Sequence, residues 1–164
     1  MELSQEQLFA YNKWREGQNL FVTGPGGCGK THFIKYIYQT HLRHVVVCAM
    51  TGCAAVLLDC NAQTIHSWSG IRLGKEEPDV LLQRIQKQSH IKRRWKKVEC
   101  LIIDEISMVS ARLLADIDHQ LRNYYRHNSE FAFNQKKVLR PFAGVNILFS
   151  GDFGQFPPPE GGFL

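Results

Sequence analysis

One short stretch limits the folds open to this chain more than any other. Gly24-Pro-Gly-Gly-Cys-Gly-Lys-Thr31 follows the apolar run Leu20-Phe-Val22 and precedes residues at helical spacing. It fits G-x-x-x-x-G-K-[ST] in the strand–turn–helix setting that gives the pattern its meaning. Glycines let consecutive N–H groups turn inward around a phosphate, and the following helix adds the partial positive charge of its N-terminus. Gly24, Pro25, Gly26, Gly27, Cys28, Gly29, Lys30 and Thr31 are therefore the expected nucleotide-binding residues. Lys30 is expected to reach the β- and γ-phosphates and the Thr31 hydroxyl to ligate Mg²⁺. The Cys28 thiol, inside the loop, is expected beside bound phosphate.

The rest of the chain has the pattern such a loop needs. Asn19–Thr23, Val45–Ala49, Cys100–Ile103 and Val145–Phe149 read as short strands apolar on both faces. Ser4 is placed to cap a first helix, with Gln7 as its capping-box partner and Leu8, Tyr11 and Trp14 as the apolar face. Helical spacing predicts further helices over 32–42 and 53–58, from Pro78 onward, and over 111–125. Residues 126–141 show no clean period and read as a loop insertion. Strands alternating with helices predict an α/β fold with a parallel sheet covered on both sides. The length of 164 residues suits one domain, and 44% apolar content suffices for a core. The longest apolar run, Val45–Met50, is six residues, far short of the roughly 18 that cross a bilayer. Glu2 and Glu6 precede the first basic residue, which reads against a secretory or transit leader. The five cysteines form no C-x-x-C, the pattern of reduced thiols in an intracellular protein.

A second chemical feature stands at the end of the third strand, in Leu101-Ile-Ile-Asp-Glu105. The carboxyl ends of parallel strands are where open α/β folds bind ligands. Asp104 is placed to hold Mg²⁺, and Glu105 to orient or deprotonate an attacking water. No N-K-x-D string for guanine occurs, and a catalytic Glu favours hydrolysis over nucleotide storage.

The net charge of +5 is unevenly spread. Arg84, Lys87, Lys92, Arg93, Arg94, Lys96 and Lys97 fall in 14 residues without an acid, on a body that is otherwise net −2. Two readings stay open: a solvated helix face, or a patch that contacts phosphates. As a nuclear signal, 92–97 is a weak match.

Six ordered stretches resemble one family. Leu3-Ser-Gln-Glu-Gln7 resembles the Q-motif of superfamily-one helicases, and Thr51-Gly-Cys-Ala-Ala55 their motif Ia. Thr64-Ile-His-Ser-Trp-Ser-Gly-Ile71 resembles the T-I-H-S-F-x-G-I segment of the Pif family. Arg94-Trp95, Asp104–Val109 and Gly151-Asp-Phe-Gly-Gln-Phe-Pro-Pro158 continue the match, the last resembling motif III. The resemblance implies the first RecA-like domain of an ATP-dependent 5′-to-3′ DNA helicase, using ATP and Mg²⁺ on single-stranded DNA. It implies that Gln7 reads the adenine edge, and that Gln155 senses the γ-phosphate. Thr51, Gly52, His66 and Ser67 would lie along the DNA; His66 taken alone reads more often as an ordinary satisfied histidine, and only the matched segment tips it. Trp68, where the family has Phe, reads as a core aromatic, with base stacking as the alternative.

The chain stops at Leu164, before the later helicase motifs. By resemblance it lacks the last strand of this sheet and the second RecA-like domain, which supplies an arginine finger in the family. A truncated module that binds ATP and DNA with little turnover is thus the alternative to a hydrolysing motor domain. A nucleotide kinase fits the loop but not the T-I-H-S segment or motif III. The resemblance implies strand order first, fourth, third, second, with the Leu20–Thr23 edge left bare. It also leads one to expect a monomer in the nucleus or mitochondrion, serving DNA repair, recombination or telomere maintenance.

Overall fold

The computed structural model describes residues 2–41, 43–72, 75–127 and 136–152. Its centre is a strand, Cys100–Ile103, with all four residues buried. Their side chains alternate: Leu101 and Ile103 face one apolar cluster, Cys100 and Ile102 the other. A strand buried on both faces is the mark of a parallel sheet sandwiched between helices. In chain order the strands are β1 (Leu20–Thr23), β2 (Val45–Ala49), β3 (Gln63–Thr64), β4 (Cys100–Ile103) and β5 (Asn146–Gly151). They form one parallel sheet in the order β1-β5-β4-β2-β3. This is the expected RecA-like order with one strand added. β3 was not foreseen, because two residues beside Cys48 and Ala49 carry no alternation to read.

Helices α1 (Gln5–Arg15), α2 (Lys30–Thr40) and α3 (Gly52–Leu58) cover one face. Trp14, Phe33, Ile34, Ile37, Ala55 and Leu58 pack there against Val45, Val47 and Ile102. The short α4 (Ile65–Ser69), α5 (Pro78–Gln86), α6 (Ser89–Lys97) and α7 (Ala111–Arg126) cover the other. Trp68, Leu81, Ile85, Ile91, Trp95, Ile117 and Leu121 close that side. Burying one side chain of this kind contributes about 1.5–3 kcal/mol.

Local signals explain most helix starts. Ser4 and Gln7 form the expected capping box of α1. Leu8, however, remains 48% exposed; Trp14 carries the packing, with Tyr11 stacked on it at 6.0 Å. α2 begins at Lys30, two residues earlier than its apolar spacing indicates, because Gly29 already turns the chain into the helix. Pro78 takes the first turn of α5, where its missing N–H costs nothing. The basic run divides between the end of α5 and all of α6, with Ile91 and Trp95 directed inward.

The stretch read as an insertion is only partly loop. α7 continues through Arg126, and residues 128–135 lie outside the described residues. A short 3₁₀ segment, Pro141–Gly144, follows. The Asp118 carboxylate ties it to α7, accepting from the Phe142 N–H and from Arg122 Nε at 2.9 Å. At the start of β5, the Ile147 N–H donates to Asn19 Oδ1 at 2.8 Å, locking the two strands in register.

Candidate nucleotide site and nucleic-acid face

The loop between β1 and α2 holds conformations that only glycine adopts without strain. Gly29 has φ +94°, and a Cβ there would lie 2.9 Å from Gln7 Nε2. α2 has no side-chain cap and no acid in its first turn, so its N-terminal N–H groups stay available to an anion. Beside it is a cleft of about 370 Å³ lined by Gly26, Gly27, Gly29, Lys30 and Thr31 from the loop, Asp104 and Glu105 after β4, and Gly151 ending β5. Lys30, Thr31, Asp104 and Glu105, distant in sequence, thus share one wall-to-wall space at the carboxyl ends of the strands. Gly24, Pro25 and Cys28 do not line the cleft themselves but meet the ammonium of Lys30, which does.

The Lys30 ammonium is curled over its own loop. It donates to the Gly24 carbonyl and, at 2.9 Å, to the Pro25 carbonyl, with Cys28 Sγ at 3.5 Å. A phosphate oxygen would offer the ammonium a stronger, charge-assisted bond than these carbonyls do.

The acidic pair is set by backbone. The Asp104 N–H donates to the Cys48 carbonyl at 2.9 Å, carrying the β2–β4 ladder one residue further. Glu105 then adopts φ +57°, ψ +43°, a left-handed turn that is uncommon outside glycine and often marks a functional position. Its Oε2 is buried with no hydrogen-bond partner among the described residues. Burial, and secondarily the neighbouring Asp104 carboxylate, push the Glu105 carboxyl above the ordinary glutamate range. Glu105 and Asp104 line the same cleft as the phosphate loop, and a carboxylate pair there suits a water or a hydrated cation. Mg²⁺ favours that donor set, holding several waters with one or two carboxylates and substrate phosphates. Thr31 and Asp104 fit such an ion.

Gln7 sits against this site. Its Oε1 accepts from the Ser4 N–H at 3.0 Å, and its Nε2 donates to the Gly29 carbonyl at 3.2 Å. Each amide atom keeps one further hydrogen-bonding position. Gln155 lies outside the described residues. Gly151 was missed as a lining residue, although it ends an apolar strand and opens the stretch that resembles motif III. A Cβ there would meet Ile106 at 2.9 Å, so the turn after Glu105 packs directly on β5.

Two other helices start at the same end of the sheet. Thr51 Oγ1 accepts from the Ala54 N–H at 3.2 Å, capping α3, and Thr64 Oγ1 accepts from the Ser67 N–H at 3.2 Å, capping α4. Ala49 pairs with Thr64, which brings the two starts side by side. Thr51, Gly52 and Ser67 are exposed and His66 is half-buried. The Arg94 guanidinium donates to the Ser67 carbonyl at 2.8 Å. Trp68 is 1% exposed, a core residue and not a stacking platform.

Residues 2–160 match the PIF1-like helicase family. The ATP-dependent DNA helicase PIF1 of Saccharomyces cerevisiae is 37% identical over 163 residues, covering 95% of this chain and 17% of that protein. The crystal structure of Pif1 helicase from Candida albicans superposes with a TM-score of 0.81 and 34% identity, over 97% of this chain and 34% of that one. A Bacteroides Pif1 crystallised with ADP-AlF3 and single-stranded DNA gives a TM-score of 0.74 and 33% identity, over 96% of this chain and 34% of that one. The chain therefore spans about a sixth of its first curated relative's length and a third of these solved chains. On fold, motif order and a match over nearly its whole length, the chain belongs to the PIF1-like helicase family.

Proposed function

We propose that this chain is the ATP-binding and ATP-hydrolysing domain of a 5′-to-3′ DNA helicase. The observation that carries the reading is the shared cleft of Lys30, Thr31, Asp104 and Glu105 at the carboxyl end of the sheet. In this reading Lys30 leaves the carbonyls of its own loop for the β- and γ-phosphates. Mg²⁺, held through Thr31 and Asp104, supplies charge neutralisation on the phosphates. Glu105 orients the attacking water and takes its proton; its raised affinity for a proton suits that role. Gln7 completes the adenine contact with its remaining hydrogen-bonding capacity, and Gln155 senses the γ-phosphate.

Single-stranded DNA would cross the exposed starts of α3 and α4, contacted by Thr51, Gly52, His66 and Ser67. The Bacteroides relative crystallised with both nucleotide and single-stranded DNA supports both ligands. Polarity, monomeric action and service in repair, recombination or telomere maintenance, nuclear or mitochondrial, rest on the family resemblance and belong to the same proposal.

The test is ATP hydrolysis with and without single-stranded DNA, for the wild-type chain, Lys30→Ala and Glu105→Gln. DNA-stimulated turnover lost in both variants supports a motor domain. Tight ATP binding with no wild-type turnover supports a binding module instead.

A further inference from the structure

A second charged feature lies away from the nucleotide cleft. β3 pairs with β2 only at Cys48 and Ala49. Among the described residues, Val45–Val47 thus have no strand partner on the side away from β4. A groove of about 490 Å³ runs along this open edge. Its cationic and imidazole side chains are His41, His44, His90, Arg93, Arg94 and Lys97. They come from both sides of the groove: the segment entering β2, and α6.

These charges are not neutralised locally. Of the four groups from α6, only Arg94 has a hydrogen bond, to the Ser67 carbonyl, and no ion pair involves any of them among the described residues. Among the described residues no acidic side chain lines the groove; Glu99, whose carboxylate accepts from the His44 N–H at 2.7 Å, and Asp59, next to Cys60, stand beside it. His90, Arg93 and Lys97 stand at i, i+3 and i+7, on one side of a helix whose Ile91 and Trp95 are buried. That row is about 10 Å long at 1.5 Å per residue, long enough for its cations to face more than one backbone phosphate.

We propose that this groove binds the phosphate backbone of single-stranded DNA, as a continuation of the path across the T-I-H-S segment. The inference rests on the reading that His66 and Ser67 face DNA. Three observations favour nucleic acid over an acidic peptide. Gln63 and Trp68, at the groove's end, flank or belong to the T-I-H-S segment itself. Arg94 links the groove wall to Ser67. Three imidazole rings offer planar surfaces for bases, which single-stranded recognition uses and an acidic peptide does not need. None of His41, His44, His90, Arg93 and Lys97 belongs to the nucleotide site, and all are exposed.

The test measures binding of oligothymidylates of about 8 and 20 nucleotides to the chain across a salt series. Two lost phosphate contacts lower the log–log salt slope by about 1.4, at about 0.7 per contact. Arg93→Gln/Lys97→Gln should therefore weaken the longer oligonucleotide roughly 10–30-fold at 0.1 M salt relative to wild type. The shorter one should change by less than about twofold, because it is satisfied by the T-I-H-S surface. An unchanged slope and affinity for the longer oligonucleotide, in a variant that melts like wild type, overturns the groove assignment. His66→Ala separates the two readings, since it should weaken both lengths. If His66→Ala weakens neither length while the double variant still weakens the longer, the T-I-H-S reading fails and the groove stands alone. A polyglutamate that binds as tightly as the longer oligonucleotide and loses affinity equally in the double variant makes this a peptide groove and ends the DNA assignment.

Discussion

The nucleotide cleft and the paired helix starts at Thr51 and Thr64 share one end of the sheet but are built in opposite ways. The cleft depends on backbone: a glycine at φ +94°, a glutamate at φ +57°, and a buried carboxylate oxygen with no partner among the described residues. The left-handed glutamate and the unpartnered carboxylate oxygen cost the fold stability. At the helix starts, the Thr51 hydroxyl expected near DNA already caps α3, and Thr64 caps α4 beside His66 and Ser67. A substitution in the cleft should change chemistry with little loss of stability. At the helix starts the two effects should arrive together.

The largest expected effect is on turnover. Lys30→Ala and Glu105→Gln should each lower ATP hydrolysis by about 10²–10³-fold, the scale of losing one transition-state donor or a general base. They should part on binding: Lys30→Ala weakens ATP, while Glu105→Gln keeps it, as titration with a fluorescent ATP analogue would read. If both bind ATP normally, the loop lysine is not a ground-state phosphate ligand.

Next is Trp68, which separates packing from DNA contact on the helix-start side. Trp68→Ala should lower unfolding free energy by about 3–5 kcal/mol in urea melts. Its effect on DNA affinity should vanish under conditions where the variant remains folded; a persisting loss would restore a stacking role.

Alkylation of Cys28 comes third. The thiol is exposed, with Sγ 3.5 Å from Lys30 Nζ. Bulk added there should weaken ATP about tenfold, a displacement cost of 1–3 kcal/mol. Cys53 is also exposed, so the measurement belongs in a Cys53→Ser background. Normal ATP affinity after confirmed modification would show that the loop tolerates displacement.

Thr51→Ala should cost about 1 kcal/mol of stability through the lost cap, together with a modest loss of DNA affinity. Thr51→Ser keeps the cap and should restore both. Recovery of stability without recovery of DNA binding would show that the methyl group, and not the hydroxyl, meets DNA.

The smallest effect has a pH signature. The folded Glu105 carboxyl binds its proton more tightly than an ordinary glutamate. Its contribution to stability is therefore greatest at acid pH and is lost as pH rises through its elevated range. Glu105→Gln should melt slightly above wild type near pH 8 and level with it near about pH 4. Equal melting at both would mean that the buried carboxylate costs the fold nothing.

This contrast also explains what could be read in advance. The loop and the acidic pair are local strings, each beside an apolar strand, so their chemistry and their place on the sheet are legible together. Trp68 reads as a core aromatic by residue type, and its 1% exposure bears that out, but the short helix α4 that places it carries no period long enough to read. β3 is not legible, since two residues have no period. Gly151 is not, because its role is a close approach to Ile106 that only the folded sheet creates. The basic run is legible as charge, but its groove is not. Its partners are His41 and His44 some 50 residues earlier, and they meet α6 only because β3 stops short of Val47.

One last feature bears on how the molecule comes into being during synthesis. β1, which carries the phosphate loop, pairs among the described residues only with β5, as Leu20 with Leu148, 128 positions later. At about 5–20 residues per second, a ribosome needs roughly 6–25 s to make that interval. The ladder between β2 and β4 spans only 55 positions, as Val45 with Cys100, and its closure entropy is correspondingly lower. The sheet can thus grow outward from β2 and β4, with β5 arriving to capture a strand made long before it. The nucleotide loop is among the first parts of this sheet to be translated and among the last to be anchored. A nascent chain halted before Asn146 would carry the whole glycine-rich motif and yet have no β5 to hold it against the acidic pair.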